Sequence, residues 1–288
     1  QAEAYAELAT HFRDAESRKE AAIVLPVGCG KSGVIALAPF ALRCRRALIV
    51  SPNVPIARQL AKMFDSSQPG MFYAAHDLTT GPDFPESAVI ESGTVNKSDL
   101  DAADVVITNI QQLQSHGGGN RWLVLLPKDF FDLLVFDEGH HNVAASWQLL
   151  KAHFPDAHVV SLSATPVRSD GSLMTGELIY TYPIYKAIQN GFVKRIKGLI
   201  LNPATLRYVR HQDGIEVEVD LEEVRRLAAS ESSFRRGVVS SKESLDTIVD
   251  ASIHELRRLR EAAGESRLKI IACALTQQHC NQVVQAYR

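Results

Sequence analysis

Five short apolar runs punctuate the first 165 residues: Ala21–Leu25, Ala47–Val50, Val105–Ile107, Leu133–Phe136 and Val159–Leu162. All are rich in Val, Ile and Leu and lack the polar alternation of a strand with one wet face. That is the pattern of strands buried on both sides in a parallel sheet. Helical stretches lie between them, at Ala2–Arg13, Ser32–Leu42 and Pro55–Phe64, with Pro39 expected to shorten or kink the second. Residues 66–101 are rich in Gly, Pro, Ser and Asp and read as loops around one short strand near Ala88–Glu91. Alternating strands and helices predict an α/β, doubly wound parallel sheet.

After Arg168 the character changes. Ser169–Ser172 is loop-like, and the following residues carry aromatics and scattered basic groups, among them Tyr180, Tyr182, Tyr185, Phe192, Lys194 and Arg195. The expected organisation is a first domain over 1–172, a linker over 173–190, and the amino-terminal part of a second domain over 191–288. In that second part Gly198–Leu201 and Leu268–Ala274 read as strands, and Leu221–Leu227 and Ser244–Ala263 as helices. A second doubly wound domain would need several more strands after Ala274, so the length reads as a truncation.

Composition narrows the class. Of 288 residues 45% are hydrophobic and 22% charged, which excludes a disordered or fibrous chain. The net charge of −2 hides an asymmetry: 14 basic and 19 acidic residues in 1–170, against 17 basic and 14 acidic in 171–288. Cys29, Cys44, Cys273 and Cys280 form no CxxC pair and no zinc-ligand spacing, which favours a reducing compartment. No apolar run reaches a membrane span and no signal-peptide core opens the chain, so the expectation is a cytoplasmic protein with no membrane contact.

Three segments carry chemistry. Leu25-Pro26-Val27-Gly28-Cys29-Gly30-Lys31-Ser32-Gly33 lies between a buried strand and a helix. Gly28 and Gly30 let backbone N–H groups turn toward a phosphate, the helix amino terminus adds positive potential, Lys31 reaches the terminal phosphates and Ser32 can ligate Mg²⁺. The usual P-loop pattern has a further glycine where this chain has Leu25. Leu134-Val135-Phe136-Asp137-Glu138-Gly139-His140-His141 places an acidic pair at the carboxyl end of another strand, where open α/β sheets bind ligands. Asp137 would hold Mg²⁺ and Glu138 would activate the attacking water. Taken alone the pair is equally well read as a surface carboxylate pair. His140 and His141 lack a third metal ligand at helical spacing, and His140 is better read as coupling the nucleotide site to the second domain. Ser161-Leu162-Ser163-Ala164-Thr165-Pro166 ends a third run, with the Ser163 and Thr165 hydroxyls in position to bond those carboxylates.

In this order the three segments resemble motifs I, II and III of the superfamily 2 helicases and translocases, the group that includes DEAD/DEAH-box proteins and restriction-enzyme motor subunits. The resemblance implies a RecA-like fold for the first domain and the start of a second, incomplete RecA-like domain. It implies ATP and Mg²⁺ as ligands, with Gly28, Cys29, Gly30, Lys31, Ser32 and Gly33 around the phosphates and Ser32 and Asp137 on the metal. Gln1, before the first helix, resembles the glutamine that reads adenine in that family. Ser51-Pro52-Asn53 with Arg58, and Thr108-Asn109, resemble motifs Ia and Ib, which touch the backbone of the bound strand; Pro52, Asn53, Arg58, Thr108 and Asn109 are the implied contacts. Both segments also read as ordinary strand-end turns. Ile270–Ala274 resembles motif IV and reads equally well as an ordinary strand.

Asp137-Glu138-Gly139-His140 departs from the DEAD pattern at its third residue, which disfavours a DEAD-box RNA helicase. With Ser146-Trp147, Tyr182-Pro183-Ile184-Tyr185 and Gly191-Phe192-Val193, it looks most like restriction-enzyme motor subunits and defence-associated helicases. DNA is therefore expected before RNA, with nuclease or methyltransferase partner subunits or fused domains. No Gln-x-x-Gly-Arg-x-x-Arg segment occurs, so motifs V and VI with their arginine finger are missing from these residues. By itself the chain is expected to bind ATP better than it hydrolyses it. Two rivals stand beside the motor: a nucleotide-gated nucleic-acid-binding or scaffold module, and a P-loop kinase, which leaves Ser163-Ala164-Thr165 unexplained. Cys29, at a helix amino terminus, is read either as a thiol of lowered pKa or as a small inert loop residue.

Overall fold

The computed structural model describes residues 1–14, 16–91, 96–109, 112, 123, 126–138, 145–165, 174–195, 198, 205–209, 216–220, 222, 226 and 241–288. The chain divides into two compact units, Gln1–Ile196 and Lys197–Arg288.

The first unit is built on seven strands: β1 (Glu20–Val24), β2 (Ala47–Ser51), β3 (Ser87–Ile90), β4 (Val105–Asn109), β5 (Leu133–Asp137), β6 (His158–Ser163) and β7 (Glu177–Thr181). Their order in the sheet is β3-β4-β2-β5-β6-β1-β7, and every pairing is parallel. Helices α1 (Ala2–His11), α2 (Lys31–Leu42), α3 (Val54–Phe64), α4 (Phe72–Ala75), α5 (Lys97–Ala102), α6 (Ala145–His153) and α7 (Ile184–Gln189) connect and cover the strands.

The strand period of two sorts the core into opposite faces. In β2, Ala47 and Ile49 join one apolar cluster and Leu48 and Val50 the other; β5 divides likewise, Leu133 and Val135 against Leu134 and Phe136. Leu8 of α1, Ile35 of α2 and Leu60 of α3 pack on the first face, and Trp147 and Leu150 of α6 on the second. Both faces are covered, which is why β2, β4 and β5 are buried along their whole length and show no alternation in the sequence. Trp147, singled out in the sequence, is a core residue, set edge-on against Phe136 at 4.3 Å between ring centroids.

Three expectations change. Helix α2 does not stop at Pro39 but runs to Leu42 and ends in left-handed Arg43 at φ +50°, with the Cys44 N–H bonded to the Pro39 carbonyl. The stretch read as a linker contributes β7, which pairs with β1. An edge strand is covered on fewer sides, and the half-exposed Glu177–Thr181 lacks the continuous apolar run that marks the inner strands. Leu268–Ala274, expected as a strand, forms no strand pairing among the described residues, and Ile271 is 90% exposed.

The described part of the second unit holds an antiparallel pair, β8 (Thr205–Val209) with β9 (Glu216–Asp220), and helices α8 (Lys242–Ala263) and α9 (Gln277–Ala286). Ser241 caps the start of α8 and Gly264, at φ +61°, its end. The strand expected at 198–201 and the helix expected at 221–227 fall largely outside the described residues. No helix among the described residues is long and apolar enough to cross a membrane.

Candidate active site

Parallel strands deliver all their carboxyl ends to one edge of the sheet. Because β5, β6 and β1 are neighbours, the acidic segment, Ser163-Ala164-Thr165 and the glycine loop emerge there side by side. The register pairs Val24 with Ser163 and Asp137 with Leu162.

The glycine loop is held at both ends. The Leu25 N–H bonds the Ser163 carbonyl at 3.0 Å, the Cys29 N–H closes a turn on the Pro26 carbonyl, and the Gly33 and Val34 N–H groups reach the Gly30 carbonyl. Gly28 at φ +86° and Gly30 at φ +83° occupy the left-handed region that disfavours side chains. Among the described residues no side-chain hydrogen bond caps α2 and no acidic residue stands in its first turn, so no charge of its own offsets its positive end. The Gln1 side chain lies across Gly30 and Gly33: a Cβ on Gly30 would fall 1.8 Å from Gln1 Nε2, and one on Gly33 3.1 Å from Gln1 Cδ.

Lys31 Nζ forms an ion pair with Glu138 Oε1, both side chains being largely buried. Glu138 has left-handed backbone at φ +55°, unusual for a residue with a long side chain, and its N–H bonds Asp137 Oδ1 at 3.1 Å. Asp137 is only 7% exposed. Burial pushes its carboxyl above the ordinary range; the Lys31 charge opposes this and the Glu138 carboxylate adds to it. With the half-buried Ser32 hydroxyl, the Asp137 carboxylate offers an all-oxygen donor set that suits Mg²⁺. Among the described residues no cluster of three His, Cys, Asp or Glu could hold a metal alone, so Mg²⁺ at this site would complete its shell with phosphate oxygens and water.

Ser163, fully buried, donates from Oγ to the Thr165 carbonyl at 3.0 Å and accepts from the Thr165 N–H at 3.1 Å. This turn sits between the glycine loop and the acidic strand, and bonds from the two hydroxyls to the carboxylates were the expectation. His140 lies outside the described residues.

A cavity of about 510 Å³ opens beside the glycine loop, lined by Gln1, Gly28, Gly30, Tyr180, Tyr182 and Phe192. The Tyr182 and Phe192 rings stand 6.4 Å apart, and Asn190 Nδ2 donates to the Tyr182 hydroxyl at 2.7 Å. Tyr180 donates to Glu3 Oε2 at 2.6 Å; burial, then this carboxylate, push its hydroxyl pKa up. In the sequence Tyr182 and Phe192 stand out only as part of the restriction-motor resemblance, with no place in the nucleotide site. Their signal was the clustering of Tyr180, Tyr182 and Phe192, and what placed them was β7 pairing beside β1. Cys29 also lines this cavity, and its thiol is pushed up by burial, which corrects the lowered-pKa alternative.

The residues read as motif Ia follow β2 and those read as motif Ib end β4, on the other half of the sheet. Asn53 caps α3, its Oδ1 accepting from the Ile56 N–H at 3.0 Å, and Pro52 and Asn53 are half-exposed. Thr108 and Asn109 are fully buried, and Thr108 Oγ1 donates to the Ile90 carbonyl at 3.2 Å. Arg58, projecting from α3, pairs with Glu91.

The chain is similar to several known proteins. The family model for the type III restriction enzyme res subunit matches residues 1–168. A DNA 3'-5' translocase, XPB2, of Sulfurisphaera tokodaii is 24% identical over 274 residues, covering 86% of this chain and 54% of the relative. The type I restriction enzyme EcoAI endonuclease subunit of Escherichia coli is 33% identical over 75 residues, 24% of this chain and 9% of that protein. Among solved structures, the UvsW helicase of bacteriophage T4 aligns with a TM-score of 0.41 at 19% identity, over 60% of this chain and 58% of that one. The Pyrococcus furiosus Hef helicase domain aligns with a TM-score of 0.42 at 17% identity, over 98% and 50%. The chain spans about half the length of the translocase relative and a small part of the endonuclease subunit. With the matched model covering more than half of its residues, the glycine loop and the acidic strand included, the chain belongs to the type III restriction enzyme res subunit family, within the superfamily 2 helicases and translocases.

Proposed function

We propose that this chain is the nucleotide-binding portion of an ATP-driven motor that moves on nucleic acid, DNA in particular. One observation carries the proposal: Lys31, Asp137-Glu138 and Ser163-Ala164-Thr165 emerge from adjacent strand ends, as nucleotide hydrolysis requires. The family membership and the translocase relative, named for DNA, support it.

Gly28, Cys29, Gly30 and Gly33 shape the loop that receives the phosphates, and the open end of α2 attracts their charge. Lys31 exchanges its Glu138 partner for a phosphate oxygen. Glu138, released, accepts a proton from the attacking water. Ser32 and Asp137 would hold Mg²⁺, which would supply charge neutralisation to the phosphates. The purine enters the cavity beside Tyr182 and Phe192, with the Gln1 amide as its hydrogen-bonding edge. Ser163, Thr165 and His140 relay the phosphate state, and the strand passes over Pro52, Asn53 and Arg58. Because Thr108 and Asn109 are buried, backbone groups there are better placed than the side chains to meet it. Nuclease or methyltransferase subunits would act on what the motor delivers.

Steady-state ATPase of the intact protein, compared with single-stranded DNA, duplex DNA and RNA as stimulators, tests this. The expected result is stimulation by DNA, lost in Lys31→Ala. Undiminished turnover in Lys31→Ala would sink the assignment. Nucleotide-dependent binding of nucleic acid without stimulated turnover would favour a gated binding module.

A further inference from the structure

Glu91 sits at the end of β3, 33 residues beyond Arg58 in the chain, yet the two form an ion pair. Arg58 Nε lies 2.9 Å from Glu91 Oε1 and Nη2 lies 3.4 Å from Oε2. Two oxygens on one guanidinium edge is also the geometry by which arginine takes a phosphate. The backbone that carries this side chain is tied from behind: Gln112, beyond β4, donates from Nε2 to the main-chain carbonyl of Glu91 at 2.7 Å. The sheet order β3-β4-β2 brings these three strand ends together, next to the capped amino terminus of α3, which has no acidic residue in its first turn.

The pair is also open to solvent, with side chains 63% and 41% exposed. A buried pair would resist exchange, whereas an exposed one contributes little and can be displaced by a competing anion.

We propose that Glu91 is an internal phosphate mimic that gates Arg58: it occupies the guanidinium until a backbone phosphate of the bound strand displaces it, and retakes it when that phosphate leaves. This rests on the nucleic-acid reading above. The gate lowers affinity and speeds release at that contact, which suits a protein that must let go of each phosphate to advance. Glu91 is thus a positioning residue acting through Arg58.

The test is binding of a fluorescein-labelled single-stranded DNA oligonucleotide by the intact protein, read by anisotropy at fixed salt. Glu91→Gln should tighten binding about two- to fivefold, the range of an exposed ion pair, chiefly through slower dissociation. Glu91→Asp, which keeps the charge but shortens the reach, should fall between Glu91→Gln and the parent. In an Arg58→Ala background, Glu91→Gln should change affinity by less than about 1.5-fold, since a gate has no effect without its arginine. Unchanged or weaker binding by Glu91→Gln, with the parent binding normally and the variant melting like the parent, overturns the gate. So does tightening that persists in Arg58→Ala, because that is general charge repulsion. If the parent fails to bind the oligonucleotide at all, the nucleic-acid reading fails first and the gate with it.

Discussion

Lys31, from the first turn of α2, and Glu138, from the end of β5, are joined in an ion pair across the strand that separates β1 from β5. On the proposed function, the cation that would take a phosphate and the carboxylate that would activate a water hold each other. Opening this pair would then be a requirement for turnover and a cost to binding. Glu138→Gln removes the attraction and leaves Lys31 free for the phosphates, so ATP should bind at least as tightly as in the parent. Turnover should fall by about 10²–10⁴, the usual contribution of a general base. Nucleotide titration and steady-state ATPase on the same preparation measure both; a variant with parental turnover would remove Glu138 as the base.

The two glycines beneath Gln1 separate steric from conformational demands. Gly30 is left-handed, and its Cβ would strike the Gln1 amide. Gly33 has ordinary helical backbone, with contacts of 3.1–3.2 Å to the same flexible side chain. Gly30→Ala should lower the melting temperature by about 2–8 °C, from roughly 1–2 kcal/mol of backbone strain, and weaken ATP binding by distorting the loop. Gly33→Ala should cost less on both counts. Equal melting of Gly30→Ala and the parent would show that the loop tolerates a side chain there.

The inner sheet and the phosphate cradle were legible in the sequence because both rest on local signals. Buried parallel strands such as Leu133–Asp137 announce themselves as apolar runs, and Gly28 and Gly30 mark a backbone that only glycine adopts cheaply. What was not legible depended on pairing at a distance. β7 looked like a linker because an edge strand needs no continuous apolar run, and the cavity wall of Tyr182 and Phe192 followed from its position next to β1. The β8–β9 pair carries a sequence signal of its own, the alternation Glu216-Val217-Glu218-Val219, which is the opposite of a buried apolar run. The Arg58–Glu91 pair had none, since it joins an exposed residue of α3 to another that follows β3.

Cys44 follows α2 and is half-buried against the core of the first unit. Burial, together with the Asp132 and Asp104 carboxylates, pushes its thiol up to about 12. At pH 8 about one molecule in 10⁴ would carry the reactive thiolate. Iodoacetamide at that pH should therefore modify the exposed Cys273 and Cys280 and spare Cys44 until the protein is denatured. Peptide mapping by mass spectrometry reads the order; labelling of native Cys44 as fast as Cys280 would contradict the burial.

Asp137 carries an electrostatic cost that a metal would relieve. Its folded carboxyl titrates above the ordinary value of 3.8, so in the window between that value and the raised one the folded state binds more protons than the unfolded chain. Stability then falls as pH rises through the window, the reverse of a salt-bridged carboxylate, and the loss is complete once the buried group is ionised. Asp137→Asn removes the charge while keeping an oxygen for the Glu138 N–H. Without metal, the variant should melt above the parent at pH 7, and the difference should shrink as the pH is lowered toward 4. Mg²⁺-dependent ATPase should be lost in the same protein, so that stability and activity move in opposite directions. Melting curves across pH in EDTA, paired with ATPase in Mg²⁺, measure both; an Asp137→Asn protein that melts at or below the parent at pH 7 would show that Lys31 already outweighs the burial.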